Sequence, residues 1–168
     1  MRQASLGLGN PYARKPPSLL LCIFGRWLHG TALAVWLGGL VMIGAVVAPT
    51  VFQILPHDPT LAGGIVGDSL RVFNIVCLVC GGLMLLADVL LWRTWRGPSA
   101  FSLIVTLGLI ALTVYLGWIL FPLMDAAQAH QQLTVFAPLH ARYERLSLWE
   151  LPPLLCLLLA DALRGGSL

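Results

Sequence analysis

Charge is what this sequence has least of. Ten basic and seven acidic side chains in 168 residues make up 10% of the chain, against about a quarter in ordinary soluble domains. Water is therefore not its main solvent. Recognised catalytic signatures are missing as well: there is no Gly-rich phosphate loop, no nucleophile elbow, no dinucleotide fingerprint and no His-Glu-x-x-His zinc pair. The reading leans away from an enzyme. Cysteine is missing from the polar loops, where an oxidising compartment would use it as a staple. Cys22, Cys77, Cys80 and Cys156 all lie in apolar stretches, and Cys77-x-x-Cys80 is read as a one-face pair of small packing side chains rather than a redox or metal pair.

What the chain has in abundance is apolar length. Hydrophobic residues make up 58% of it, and the mean hydropathy is +0.87. Four stretches, at about 19–48, 70–92, 99–124 and 144–163, are long enough or nearly so to cross a bilayer core of about 30 Å. The expected fold is all-α: a polytopic membrane protein with an antiparallel four-helix transmembrane bundle over 18–164, preceded by a tail over 1–17. The four spans leave no room for a separate soluble domain. The first stretch, with Arg14 and Lys15 before it, is about twice as long as a signal-peptide core and is read as a retained anchor.

Pro16-Pro17-Ser18 marks a helix start, and the first span is expected to end at Pro49. Gly63, Gly64 and Gly67 are expected to break the chain before the second span, and Asp125–Arg145 to form a polar helical segment leading into the fourth. The net charge of +3 does not point to nucleic acid, because the basic residues sit at the ends of apolar segments. Arg2, Arg14, Lys15, Arg93, Arg96 and Arg164 fall on one side with Arg26 at its edge, and Arg71, Arg142 and Arg145 on the other. The positive-inside rule then puts both termini in the cytoplasm, most simply of a bacterial inner membrane, with Trp27, Trp92 and Trp95 in an aromatic belt.

Small residues recur at helical spacing: Gly30, Ala34 and Gly38 in the first span, Cys77 and Gly81 in the second, Thr113 and Gly117 in the third. In lipid such stripes let helix backbones touch, either within this bundle or between copies of it.

Ionisable residues inside spans are costly in lipid and are the default functional suspects. Arg26, His29, Asp88 and Asp161 come to one depth. They form either a charge cluster that pairs Arg26 with a carboxylate and locks the bundle, or a setting in which His29 carries a proton or ligates haem. Asn74, His140, Glu144 and Glu150 gather in the other half. His140 and Glu144, four apart, share a helix face. Pro152 and Pro153 deprive the carbonyls of Leu148 and Trp149 of helical partners beside Glu150, which suggests a cation or proton site there or simply a kinked helix. His140, Glu144 and Glu150 are the metal-ligand candidates, with His57, Asp58, Asp125 and His130 on the same side.

Leu28-His29-Gly30 through Trp36-Leu37-Gly38-Gly39, then Ala48-Pro49-Thr50-Val51-Phe52 and later Phe136-Ala137-Pro138-Leu139-His140, resemble the domain of unknown function 4149 family, which includes relatives of transmembrane protein 205. The resemblance spans about residues 25–163 and implies four helices in a membrane with no assigned reaction. The small residues expected after Leu-His are replaced here by Ala141-Arg142-Tyr143-Glu144. His29 with Trp36-x-Gly38-Gly39 is also similar to copper-resistance D membrane domains, and more distantly to a haem-associated protoporphyrinogen oxidase family. The expected partners are lipids and either other membrane subunits or further copies of the chain. The expected role is that of a non-catalytic subunit, with ion or proton transport through Glu150 and His140, or haem b at His29, as alternatives.

Overall fold

The computed structural model describes residues 19–92 and 100–165, and every regular element among them is helical. The N-terminal tail, Pro16-Pro17, Trp95 and the basic residues Arg2, Arg14, Lys15, Arg93 and Arg96 lie outside them, as does the side chain of Arg164. Four rods are long and apolar enough to cross a membrane: α1 Leu19–Ile54, α2 Pro59–Trp92, α3 Ala100–Ala129 and α4 Leu133–Leu163. The protein is thus an all-helical multi-pass membrane protein. At 1.5 Å per residue α2 is about 51 Å long, well beyond a core of about 30 Å, so its ends project past the hydrocarbon.

Three helix ends differ from expectation, each for a local reason. Pro49 does not end α1. A π-helical turn over Ile43–Val47 shifts the hydrogen bonding, with Ala48 N–H donating to the Ile43 carbonyl, and the helix runs on to Ile54. Pro122 is passed in the same way in α3, by a π-helical turn over Tyr115–Leu120 in which Phe121 N–H donates to Leu116. One widened turn ahead of each ring absorbs the missing proline N–H that would otherwise break the ladder.

Nor do Gly63, Gly64 and Gly67 break α2. The Asp58 carboxylate accepts a hydrogen bond of 2.9 Å from Leu61 N–H, and Pro59 follows in the first turn. That cap and first-turn proline start the helix eleven residues before the expected boundary at 70 and offset part of a cost of about 1 kcal/mol per glycine. The polar stretch after α3 turns at His130–Gln132, with Gln131 at a φ of 54°, and α4 begins at Leu133.

Pro152 and Pro153 do interrupt α4. Its first segment ends at Leu148 and the second starts at Leu151, with both prolines in the new first turn, where a missing N–H costs nothing. Trp149 and Glu150 form the joint.

Neighbouring rods run antiparallel. Gly25 lies against Leu91 and Gly39 against Phe73 across α1 and α2, and Gly81 lies against Ile110 across α2 and α3. His29 meets Asp161, and Trp36 meets Glu150, across α1 and α4. The larger core cluster centres on Leu33, Trp36, Met84, Leu109, Leu154 and Leu157, and a smaller one on Leu116, Leu120, Phe121, Met124 and Tyr143.

The glycines that bring helices together are not all those the spacing suggests. A Cβ at Gly81 would sit 2.5 Å from Ile110 and 3.2 Å from Trp36, and one at Gly117 would sit 3.3 Å from Asn74. At Gly39 it would fall 2.3 Å from the Phe73 ring. At Gly30 and Gly38, in contrast, it would meet nothing within 4 Å, and Ala34 is exposed. The first-helix stripe therefore faces away from the bundle. The buried face of α1 is instead Gly25, His29, Ala32, Leu33 and Trp36.

Gly81→Val should lower stability by about 1–3 kcal/mol through overpacking. Gly38→Ala should leave stability unchanged. Reversible unfolding of the purified chain in mixed detergent, titrated with SDS, measures both.

Candidate functional site: two polar layers inside the bundle

Lipid offers no hydrogen bonds, so a polar side chain inside the bundle has to be answered by another element of the protein. The buried polar side chains are His29, Asn74, Asp88, Ser102, Thr106, Thr113 and Glu150. Most of them fall into two layers.

The first layer surrounds His29, which is 3% exposed. Its Nδ1 lies 2.7 Å from Asp161 Oδ2, a charge-assisted distance, and its Nε2 lies 3.9 Å from Asp88 Oδ1. The Ser102 hydroxyl donates to Asp88 at 3.2 Å. All four helices thus contribute one group each. Three of the four residues expected at one depth, His29, Asp88 and Asp161, do meet. Arg26 makes no ion pair among the described residues. It lies one turn nearer the end of α1 and is half-buried, and from there a long side chain carries its charge to the interface.

The second layer surrounds Glu150, also 3% exposed. Trp36 Nε1 donates to Oε2 at 3.1 Å, and the Thr113 hydroxyl lies 3.4 Å from Oε1. That hydroxyl has a single proton and a shorter acceptor in the Leu109 carbonyl at 3.0 Å. The indole is therefore the firmer donor to the carboxyl. Cys77 and Tyr143 lie within electrostatic reach of Glu150, and Asn74 Nδ2 donates to the Tyr143 hydroxyl at 3.4 Å. Gly117, on the π-helical turn of α3, is the residue against which Asn74 rests.

The metal candidates are divided. His140 Nε2 lies 3.2 Å from Glu144 Oε1 on the exposed face of α4, stacked on Phe136. Glu150 turns into the core towards Trp36 and Thr113. Asp58 is a helix cap, and Asp125 pairs with Arg71 at 2.5 Å beneath the Phe121 ring. Among the described residues, no three His, Cys, Asp or Glu side chains are grouped to hold a metal ion. Around His29, Nδ1 is taken by Asp161 at 2.7 Å and Asp88 Oδ1 lies 3.9 Å from Nε2. Cys77 and Cys80 are buried free thiols.

Sequence reasoning missed Trp36 as the donor to Glu150, and Ser102 and Thr106 altogether. Their signal was present in the spacing. His29 and Trp36 are seven apart, and Ser102, Thr106 and Thr113 fall at helical intervals on one face of α3.

Four apolar rods with polar groups turned inward define an integral membrane protein of the multi-pass helical class. The chain belongs to the family described as domain of unknown function (DUF4149), whose model matches residues 31–133. No curated protein and no solved structure matches it. The matched stretch contains α1 from residue 31 onwards, with Trp36, and all of α2 and α3. His29, Phe136–His140, Glu150 and Asp161 lie beyond it.

Trp36→Phe removes the firm donor to Glu150 together with part of a fully buried ring. It should cost at least about 1–3 kcal/mol, the penalty for leaving a buried acceptor short of a partner. Thr113→Val, which removes the longer contact, should cost less. The same SDS titration ranks the two.

Proposed function

We propose that this chain is a small multi-pass protein of the bacterial cytoplasmic membrane that works through helix–helix contacts. It does so as a homo-oligomer or as a subunit of a larger membrane complex, and catalyses no reaction of its own. The observation that carries this reading is the outward face of α1. Gly30, Ala34 and Gly38 form a stripe without side-chain bulk that packs against none of the described helices. Small outward residues at this spacing are what a transmembrane helix uses to let another backbone approach.

A second feature borders the stripe. Beside it, α1 and α2 part to leave an apolar groove of about 310 Å³, open to the side and lined by Leu28, Thr31 and Val35 facing Ile75, Val79 and Leu83. Stripe and groove together make a continuous apolar surface on which van der Waals packing can be won, which in lipid is the main drive for helix association. The orientation proposed is that both termini face the cytoplasm, following the excess of basic residues at that end.

Ala34→Leu with Gly38→Leu should reduce the assembly to single chains while leaving the helical content unchanged. Native mass spectrometry, with photo-crosslinking from position 34 in intact membranes, reads the result. A wild-type protein found only as single chains by both methods would remove the proposal.

A further inference from the structure

The two polar layers lie at different depths on the same interior axis, and neither is needed for helix contacts at the outward face of α1. Glu150 and Asp161 are eleven residues apart on α4, about 16 Å along a helix. Between the layers the core is apolar, with Leu33, Met84, Leu109, Leu154 and Leu157 around it. One polar side chain lies in that interval. Thr106 is 0% exposed, and its Oγ1 has no hydrogen-bond partner among the described residues. It lies one turn from Ser102 and two turns from Thr113 on the buried face of α3, about 6 Å and about 10 Å along the helix.

A valine would fill that space at no polar cost, whereas a buried hydroxyl without a partner costs about 1–3 kcal/mol. Such a group is what an internal water would bond to, and a water needs at least two polar partners. The hydroxyls of Ser102 and Thr113 stand on either side of it. The groups at each end of this file are titratable. At one end Glu150 faces Trp36 from α1, Cys77 from α2, Thr113 from α3 and Tyr143 from its own helix. At the other, His29 faces Asp88, Ser102 beyond it, and Asp161, whose side chain is 31% exposed and so reaches the surface.

We propose that the interior of this bundle conducts protons between Glu150 and His29 along the Ser102–Thr106–Thr113 face of α3, with Thr106 anchoring a short file of waters that crosses the apolar interval, since one water with hydrogen bonds of about 2.8 Å cannot span it alone. The file works by relay. Each oxygen or ring nitrogen takes a proton on one lone pair and releases another from its own O–H or N–H. One proton enters at the Glu150 carboxyl and one leaves at Asp161; the hydroxyls are left reversed and the imidazole of His29 as its other tautomer, and both reorient before the next proton passes. Thr113 is suited to this. Its lone pairs can accept from a protonated Glu150, and its own proton joins the relay once it has turned from the Leu109 carbonyl towards the file. The leucine-lined interval makes passage intermittent, because water has to enter an apolar space each time.

The experiment is proton uptake into vesicles. The full-length chain is reconstituted into liposomes loaded with a pH-sensitive dye, and a potassium diffusion potential is imposed with valinomycin. Wild type should acidify the lumen faster than protein-free vesicles. Glu150→Gln should fall to the protein-free rate. Thr106→Val should lose most of the flux, and Thr106→Ser should restore it. Cys156→Ser, an exposed position on α4, should conduct like wild type. Circular dichroism and elution volume confirm that each variant is folded. Wild-type flux no greater than that of empty vesicles overturns the proposal, and so does full flux in folded Thr106→Val. Because Thr106 and Glu150 face inward, the outcome is independent of whether α1 associates with another chain.

Discussion

Without water to answer it, each ionisable group buried in the bundle must be met by another part of the same chain, and this requirement shapes the bundle more than any apolar contact does. Leucine gains little by leaving lipid for a protein interior, since the two are similar solvents. A carboxyl or imidazole gains a great deal by finding a partner. Asp161 on His29 and Glu150 on Trp36 therefore act as register pins: each fixes a depth on α4 against a depth on α1. Sliding one rod by a turn, about 5.4 Å, would preserve apolar burial almost everywhere but separate both pairs at once. Asp88 with Ser102 pins α2 to α3 in the same way.

Proline sets the geometry around the second layer. The widened turns before Pro49 and Pro122 keep α1 and α3 continuous. In α4, where two prolines stand together, the ladder does break, and Glu150 occupies the joint. A joint residue is freed from helical side-chain directions, and this one turns inward, while Leu148 and Trp149 beside it are exposed. A straight α4 would hold the carboxyl in the regular direction of the helix, away from its present place between the indole and Thr113.

The four spans were legible because an apolar run of twenty residues has few other uses. Their ends were not. Glycine and proline punctuate helices in water, where a broken hydrogen bond is taken up by solvent, but next to lipid the helix is retained and a π-helical turn or a side-chain cap absorbs the difference. The residues of the first polar layer were legible from depth alone, since spans of known direction place His29, Asp88 and Asp161 together. Arg26 was misjudged because depth does not say which way a long side chain reaches. The Gly30–Ala34–Gly38 stripe was visible as a stripe, but spacing does not say whether it turns inward. Gly39, one residue along, holds the close contact with Phe73. Thr106 and Ser102 were legible only together with Thr113, as one helical face; taken singly, a hydroxyl in an apolar helix usually bonds back to its own backbone.

The division of labour between helices bears on how such a site is tuned. The segment matched to the family supplies Trp36, Asp88, Ser102 and Thr113, the uncharged donors and one carboxylate. The fourth helix, outside that segment, brings Glu150 and Asp161, the carboxyl groups that these donors and His29 address. Charge is the expensive element in lipid and hydroxyls are cheap. A framework of α1, α2 and α3 can therefore keep its shape whether or not the fourth rod carries acids, whereas the acids have no stable place without the framework. The fourth rod thus adds two acids to the His29 and Asp88 already carried by α1 and α2, and the helix that the double proline divides is the one that brings the second layer its carboxyl.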